Sequence, residues 1–88
     1  MIFSISVPVY GQAEFLPHTL ESIRCQPVEV ELAVLDATPD DSVQRVLSTY
    51  TDMIDYAYHR QDDGQAAAIQ EGWENTSGEI VSWINADD

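Results

Sequence analysis

The sequence contains very few basic residues. Only three of its 88 residues are Lys or Arg, none of them Lys, against 16 Asp and Glu, and the formal net charge is −13 at pH 7. Nucleic acids and anionic membranes attract proteins through basic surfaces. The composition therefore argues against both as partners. It also implies that an anionic substrate would be repelled unless a metal cation lay between it and the chain.

Cysteine and long apolar segments are also scarce. The single cysteine, Cys25, excludes an internal disulfide and any metal site built from several cysteines, and it is typical of a reducing compartment. No apolar run approaches the roughly 20 residues of a membrane span. The N-terminus enters a strand pattern without the basic segment of a signal peptide. We expect a cytoplasmic protein with no membrane span in this chain.

Three glycine-containing motifs are missing. G-x-G-x-x-G does not follow the first predicted strand, and neither G-x-x-x-x-G-K-[ST] nor G-x-S-x-G occurs in the chain. These absences argue against a dinucleotide fold of the usual kind, a P-loop protein and a hydrolase with a serine elbow. A ligand would have to be bound by carboxylates and backbone groups instead of a glycine-rich phosphate loop.

Hydrophobic patterning divides the chain into four strands and three helices. Short apolar runs of strand type alternate with stretches whose apolar residues recur at helical spacing. The predicted strands are residues 2–9, 28–36, 54–59 and 79–84, and the predicted helices are residues 13–26, 42–50 and 65–75. This βαβαβαβ alternation predicts one α/β domain over residues 1–88 with a four-stranded parallel sheet.

Right-handed crossovers place the carboxyl ends of all four strands on one edge of this sheet. Residues 8–10, Asp36, residues 60–65, Asp87 and Asp88 are then expected to meet there. Open α/β sheets bind their ligands at this edge. The sequence therefore predicts a common site. A structure with these acids on opposite edges, or with the first two strands antiparallel, would contradict it.

Three pairs of adjacent aspartates follow predicted strands. The pair at 40–41 is interpreted more simply as a cap for the next helix. For the pair at 62–63, a cap and a ligand are equally good interpretations. Asp87 and Asp88 follow a buried strand with no helix left to cap, which favours a metal site. Carboxylates suit a hard divalent cation, Mg²⁺ or Mn²⁺, that a phosphate can share.

Four residues with reactive side chains lie outside these pairs, and their sequence neighbours indicate no specific function. Asp36 ends the most apolar strand and is open to three interpretations: a phosphoacceptor of receiver type, a base-binding carboxylate, or a turn residue satisfied by backbone N–H groups. His18 and His59 have no partner at metal or triad spacing, so both are interpreted as structural. Cys25 is interpreted as a small buried residue.

The ordered combination of these segments resembles the family 2 inverting glycosyltransferases, which have a GT-A fold. Residues 6–16 are similar to the family's opening strand and turn, and residues 19–26 fit its next segment. Residues 63–72 are similar to its D-x-G segment, and residues 78–88 to the strand leading into its acidic metal motif. The resemblance runs through essentially the whole chain.

The resemblance implies a nucleoside-diphosphate sugar as donor, with Mn²⁺ or Mg²⁺ stabilising the charge on the leaving diphosphate. It implies inverting transfer of the sugar to a hydroxyl of a saccharide or another acceptor. The implied roles are nucleotide contact for Pro8, Val9 and Tyr10, base contact for Asp36, donor-pocket contact for Asp63 and Gln65, ribose contact for Asp87, and metal binding for Asp87 and Asp88.

The chain departs from the family's pattern at several positions. Leu35 stands where the family often has an acid, and Ala37 follows Asp36 where the family has a glycine. Gln70 replaces the usual Asn, and Asn85 stands where many members have the first Asp of D-x-D. Metal binding would therefore depend on Asp87 and Asp88.

Family members are longer, and their acceptor-binding half and catalytic base lie beyond the position of Asp88. The resemblance thus implies the donor-binding part of a glycosyltransferase, residues 1–88, cut at its metal motif. Catalytic residues remain unassigned, and we expect no sugar transfer by this chain alone because no base can deprotonate an acceptor. The alternative is a non-catalytic α/β module, receiver-like or structural. Receiver domains need a lysine, which this chain lacks.

Overall fold

A computed structural model describes residues 2–11, 13–61 and 64–84 as one parallel sheet with helices on both faces. The strands are β1 (Ile2–Val9), β2 (Glu29–Asp36), β3 (Tyr56–His59) and β4 (Ile80–Trp83). The helices are α1 (Leu16–Arg24), α2 (Ser42–Leu47) and α3 (Gln65–Glu74). The strand order is β3-β2-β1-β4, and neighbouring strands pair in parallel. The predicted α/β fold with a four-stranded parallel sheet is confirmed.

The first two helices are shorter than their hydrophobic patterns predicted. α1 begins at Leu16, and Pro17 lies in its first turn, where the missing N–H interrupts no helical hydrogen bond. α2 ends at Leu47, because the N–H groups of Thr49 and Tyr50 bond carbonyls three residues back instead of four. Within the described ranges, every helix is too short or too polar to traverse a lipid bilayer.

The two faces of the sheet contact different helices. On one face, α1 and α2 pack against side chains of β1 and β2; this cluster is Ile5, Val7, Val9, Leu16, Leu20, Ile23, Leu32, Val34, Val43 and Leu47. On the other face, Ala33 and Leu35 of β2 pack with Ala68 of α3, and Tyr56 and Tyr58 lie alongside. Because side chains alternate along a strand, β1 and β2 are buried on both faces, as central parallel strands usually are.

Pro8 lies in central β1, where a missing N–H could interrupt a ladder. The carbonyls of Ile2 and Ser6 accept hydrogen bonds from the N–H groups of Glu79 and Ile84. The backbone N–H and C=O groups of the even-numbered residues of β1 therefore point toward β4. The pairing with β4 ends at Ser6 opposite Trp83, before it reaches Pro8. Proline is therefore compatible with this position, since its missing N–H would point toward β4, beyond the last residue pair of that ladder.

Glu31 of β2 holds the segment that leads into β4. Its two carboxylate oxygens accept hydrogen bonds from the hydroxyl and the N–H of Ser77, both at 2.7 Å. Next to this contact, the N–H of Gly78 donates to the hydroxyl of Ser4 at 2.7 Å. The hydrogen bonds from Ser77 lower the pKa of the Glu31 carboxyl below its ordinary value.

We expect this contact to make unfolding depend on pH. Since the folded pKa of Glu31 is lowered, its contribution to stability is complete above the ordinary glutamate pKa of about 4.3 and is lost as pH falls through the lowered value. Denaturant unfolding at about pH 6 and about pH 3 should therefore show a smaller loss on acidification for Glu31→Gln than for the unaltered chain. Glu29→Gln, on the same strand, is the control. Equal losses for Glu31→Gln and the unaltered chain would contradict the expectation.

Candidate functional site

The carboxyl edge of the sheet is formed where β1, β2 and β3 end side by side. Val9, Asp36 and His59 are backbone partners across these three strands. The ladder continues beyond them, because Ala37 donates its N–H to the carbonyl of Val9 and Arg60 donates to that of Asp36, both at 2.9 Å. Paired residues of parallel strands direct their side chains to the same face. All three side chains therefore lie on the face that packs against α1 and α2.

Asp36 is the polar centre of this edge. Its side chain has no exposed area. The carboxylate Oδ1 accepts the N–H of Thr38 at 2.9 Å, and Oδ2 lies 2.6 Å from Nδ1 of His59. Gln44 of α2 makes a longer contact, with its Nε2 at 3.4 Å from Oδ2. Both oxygens thus have partners, as a buried carboxylate requires.

His59 belongs to this site, because it contacts a partner that no spacing in the sequence indicated, and its interpretation as a structural residue stays a prediction. The imidazole contacts Asp36 through Nδ1, and its side chain is 31% exposed. The residues are 23 positions apart, and the register of β2 against β3 brings them together. The available signal in the sequence was that both residues end a predicted strand, which does not show that the two strands are neighbours.

The two aspartates at 40–41 have different environments. Oδ1 of Asp40 accepts the N–H of Ser42 at 2.9 Å and its hydroxyl at 2.6 Å, and these bonds lower the pKa of Asp40. Asp41 occupies the N-cap position of α2 but makes no side-chain capping hydrogen bond. Asp40 therefore organises the start of α2, whereas Asp41 has its carboxylate 3.7 Å from Nε2 of His59.

The turn after β1 is hydrogen-bonded to the loop after β2. The N–H of Gly11 donates to the Thr38 hydroxyl at 2.8 Å, and Gly11 has a φ of 72°, in the left-handed region that favours glycine. Pro8 and Val9 end β1 and Tyr10 lies in this turn, and all three are predicted to contact a nucleotide. Val9 is buried, whereas Tyr10 is 68% exposed.

Four predicted site residues remain: one lies within the described ranges and three lie outside them. Gln65 begins α3, directly after the loop that leaves β3, so it lies toward the same edge of the sheet. Asp63, Asp87 and Asp88 lie outside the described residues. Among residues 2–11, 13–61 and 64–84, there is no group of three or more His, Cys, Asp or Glu that could bind a metal.

Arg60 follows His59 directly but is engaged on the α3 side of the sheet. Its Nη2 lies 2.8 Å and 2.9 Å from the carboxylate oxygens of Glu71, and its guanidinium carbon lies 3.8 Å from the ring centroid of Tyr58. Tyr56 also donates its hydroxyl to Glu71 at 2.6 Å, and this bond raises the pKa of Tyr56. The basic residue nearest to the edge is therefore paired with an acid.

Cys25 does not have the surroundings that the sequence predicted. It occupies the C-cap position of α1 and is exposed, so its interpretation as a small buried residue is wrong. The stripe that buries α1 contains Leu16, Leu20 and Ile23, and Cys25 lies beyond its end.

Comparison with known proteins places almost the whole chain in one family. The family model described as Glycosyl transferase family 2 matches residues 4–88. An uncharacterized glycosyltransferase of Rickettsia felis is 32% identical over 90 residues, which cover 99% of this chain and 15% of that protein. One from Rickettsia typhi is 30% identical over 88 residues, which cover 99% of this chain and 27% of that protein. The chain thus spans about a quarter or less of the length of these relatives.

Solved structures share the fold. A mannosyltransferase, PcManGT from Pyrobaculum calidifontis in complex with GDP-Man and Mn²⁺, matches with a TM-score of 0.79 and 26% identity over 98% of this chain and 27% of that one. S. aureus TarS 1–349 matches with a TM-score of 0.81 and 23% identity over 100% of this chain and 28% of that one. At the latter identity the likeness concerns the fold alone. The family match favours a glycosyltransferase over the receiver-like alternative.

Proposed function

Because this chain belongs to glycosyltransferase family 2, we propose that it is the donor-binding part of an enzyme that transfers a sugar to an acceptor hydroxyl with inversion. The donor is a nucleoside-diphosphate sugar bound with a divalent metal, Mn²⁺ or Mg²⁺. The observation that carries the proposal is the row of Val9, Asp36 and His59 at the carboxyl edge of a parallel sheet, where α/β folds bind nucleotides.

The nucleoside end of the donor is assigned to the part of the edge beside β1 and β2. Tyr10 exposes most of its side chain there, and an aromatic ring is suited to stacking on a flat base. Pro8 and Val9 support this turn, and the Asp36–His59 pair supplies polar groups within the same row. Gln65, at the start of α3, and Asp63 are assigned to the donor pocket, as the likeness to the family implies.

The diphosphate end needs positive charge, of which this chain has little. Two of the three basic residues are paired with acids: Arg60 with Glu71, and Arg24 with Asp52 and Glu21. Since the formal net charge is −13, a diphosphate would be repelled unless a cation neutralised it. We assign Asp87 and Asp88 as ligands of that cation, because carboxylate oxygens suit Mn²⁺ and Mg²⁺.

When bound, the cation would stabilise the negative charge that develops on the departing nucleoside diphosphate. PcManGT, the structural neighbour described above, is in complex with GDP-Man and Mn²⁺, which supports the same type of donor and metal for this chain.

Metal dependence of nucleotide binding tests the proposal. Calorimetric titrations of the chain with UDP and with GDP should show an affinity at least about tenfold higher with Mn²⁺ than with a chelator. The physical reason is that the cation neutralises the diphosphate beside an acidic chain. The proposal is wrong if neither nucleotide binds in the presence of Mn²⁺, or if binding is the same with the chelator.

A further inference from the structure

The helix α3 is held against the sheet at two separate places. Over the central strands, Gly72 lies so close to β1 that a Cβ atom added to it would be 3.0 Å from that of Ser6. The strand β3 lies two positions away from β1, at the edge of the sheet. From that edge the side chains of Tyr56 and Arg60 reach Glu71 of α3. The second place is therefore a network of side chains.

Glu71 is the centre of this network. Nη2 of Arg60 donates to both of its carboxylate oxygens, at 2.8 Å and 2.9 Å, and the Tyr56 hydroxyl donates to one of them at 2.6 Å. The guanidinium of Arg60 also lies over the ring of Tyr58, with its carbon 3.8 Å from the centroid. Four side chains thus act together, which gives the ion pair more strength than an isolated pair has at a surface.

Arg60 also connects this network to the carboxyl edge of the sheet. Its backbone N–H donates to the carbonyl of Asp36 at 2.9 Å, so its main chain continues the ladder of β2 and β3. Its side chain holds Glu71, which follows Gln65 by six residues in the same helix. Because an α-helix has a fixed rise and rotation per residue, holding Glu71 fixes where Gln65 lies relative to Asp36.

The contact at Gly72 alone does not define the orientation of α3. A helix that touches a sheet at one point can still rotate about its axis and tilt. Glu71 is the neighbouring residue, and successive residues are about 100° apart around a helix axis. Glu71 therefore restrains α3 toward β3, whereas Gly72 restrains it toward β1.

We propose that Arg60 and Glu71 are a positioning pair for the donor site, which they serve by holding the start of α3 at the carboxyl edge of the sheet. The inference rests on the proposed function, because it concerns donor binding at the same edge. A pair that only stabilises the fold would raise the unfolding temperature and leave the nucleotide affinity of the folded chain unchanged.

Calorimetric titration with UDP and GDP in Mn²⁺ tests the pair, at a temperature where every variant is folded. Arg60→Met and Glu71→Met should each lower the affinity by about threefold to tenfold, because the energy of the network limits the effect. The two substitutions change the net charge in opposite directions. An effect of charge alone would lower the affinity of Arg60→Met and raise that of Glu71→Met, and this result would overturn the inference.

Arg24→Met and Glu74→Met are matched controls. Arg24 also pairs with an acid, Asp52, at 3.2 Å and lies over a tyrosine ring at 5.7 Å, but it ends α1, at the opposite edge of the sheet. Glu74 is exposed on the same helix as Glu71. Each control should change the affinity by less than about twofold. A loss in Arg24→Met as large as that in Arg60→Met would overturn the inference, since it would show a general effect of losing an ion pair.

Reversal of the pair examines positioning without losing the interaction. Arg60→Glu alone places two carboxylates together and should weaken nucleotide binding at least as much as Arg60→Met. Adding Glu71→Arg restores opposite charges across the same gap, so the double variant should recover part of the affinity. If Glu71→Met does not fold, this comparison decides the question. A folded double variant that binds no better than Arg60→Glu would overturn the inference.

Thermal unfolding of the same variants separates the two possible roles. A lower unfolding temperature in Arg60→Met and Glu71→Met, with unchanged nucleotide affinity, would mean that the pair is only structural, and the inference alone would fail. If the unaltered chain binds neither UDP nor GDP in Mn²⁺, the proposed function fails, and the inference fails with it.

Discussion

Replacement of Gly72 by alanine is expected to lower the free energy of unfolding by about 2–4 kcal/mol. Gly72 lies where α3 crosses β1 and β2. A Cβ atom there would be 3.0 Å from the Cβ of Ser6 and 3.1 Å from that of Ala33, and it would overlap Oγ of Ser6. Oγ of Ser6 donates to the carbonyl of Ile69 at 3.1 Å, so displacing it also breaks a buried hydrogen bond. The gain of about 1 kcal/mol in helix propensity on replacing glycine offsets only part of this cost.

Thermal unfolding measures the effect, and a fall of roughly 10–20 °C is expected for a domain of this size. Gly72→Ala combined with Ser6→Ala is the matched control, because Ser6→Ala removes the overlapping Oγ atom. The two changes should therefore cost less together than the sum of their separate costs. Additive costs, or an unfolding temperature of Gly72→Ala equal to that of the unaltered chain, would show that α3 does not approach β1 as described.

Replacement of Asp88 by alanine is expected to lower the affinity for a nucleoside diphosphate in Mn²⁺ by about tenfold or more. The proposed function makes this carboxylate a ligand of the cation that neutralises the diphosphate. Asp40→Ala is the matched control, because it removes the same charge from a position where Asp40 bonds Ser42. This control should change the affinity by less than about twofold. Calorimetric titration with UDP or GDP, with and without Mn²⁺, measures both variants.

The sign of the change separates a metal ligand from a distant charge. Removing an acid that does not bind the cation should leave nucleotide affinity unchanged or raise it slightly, since the net charge becomes less negative. Without Mn²⁺, Asp88→Ala should bind no more weakly than the unaltered chain. Equal behaviour of Asp88→Ala and Asp40→Ala in Mn²⁺ would rule out Asp88 as a ligand.

Only part of the local structure could be predicted from the sequence. The ring of Pro17 excludes it from a helix interior, and α1 accordingly begins at Leu16, three residues after the predicted start at residue 13. Gly72 entered the prediction through resemblance alone, and the approach of α3 to Ser6 supplies its physical reason. The partner of His59 was not found, because a search for partners at fixed sequence spacing cannot detect a pair created by strand register.

By itself the sequence determined the alternation of strands and helices, the parallel sheet and the edge at which strand ends collect. These features follow from hydrophobic periodicity and from the handedness of crossovers, which are properties of short segments. Only the tertiary structure decided the order β3-β2-β1-β4 and the pairing of Asp36 with His59. Both depend on which faces the helices bury and on the register between β2 and β3. Local periodicity predicts neither the strand order nor this pairing, because a strand can pair with different neighbours without changing its own pattern.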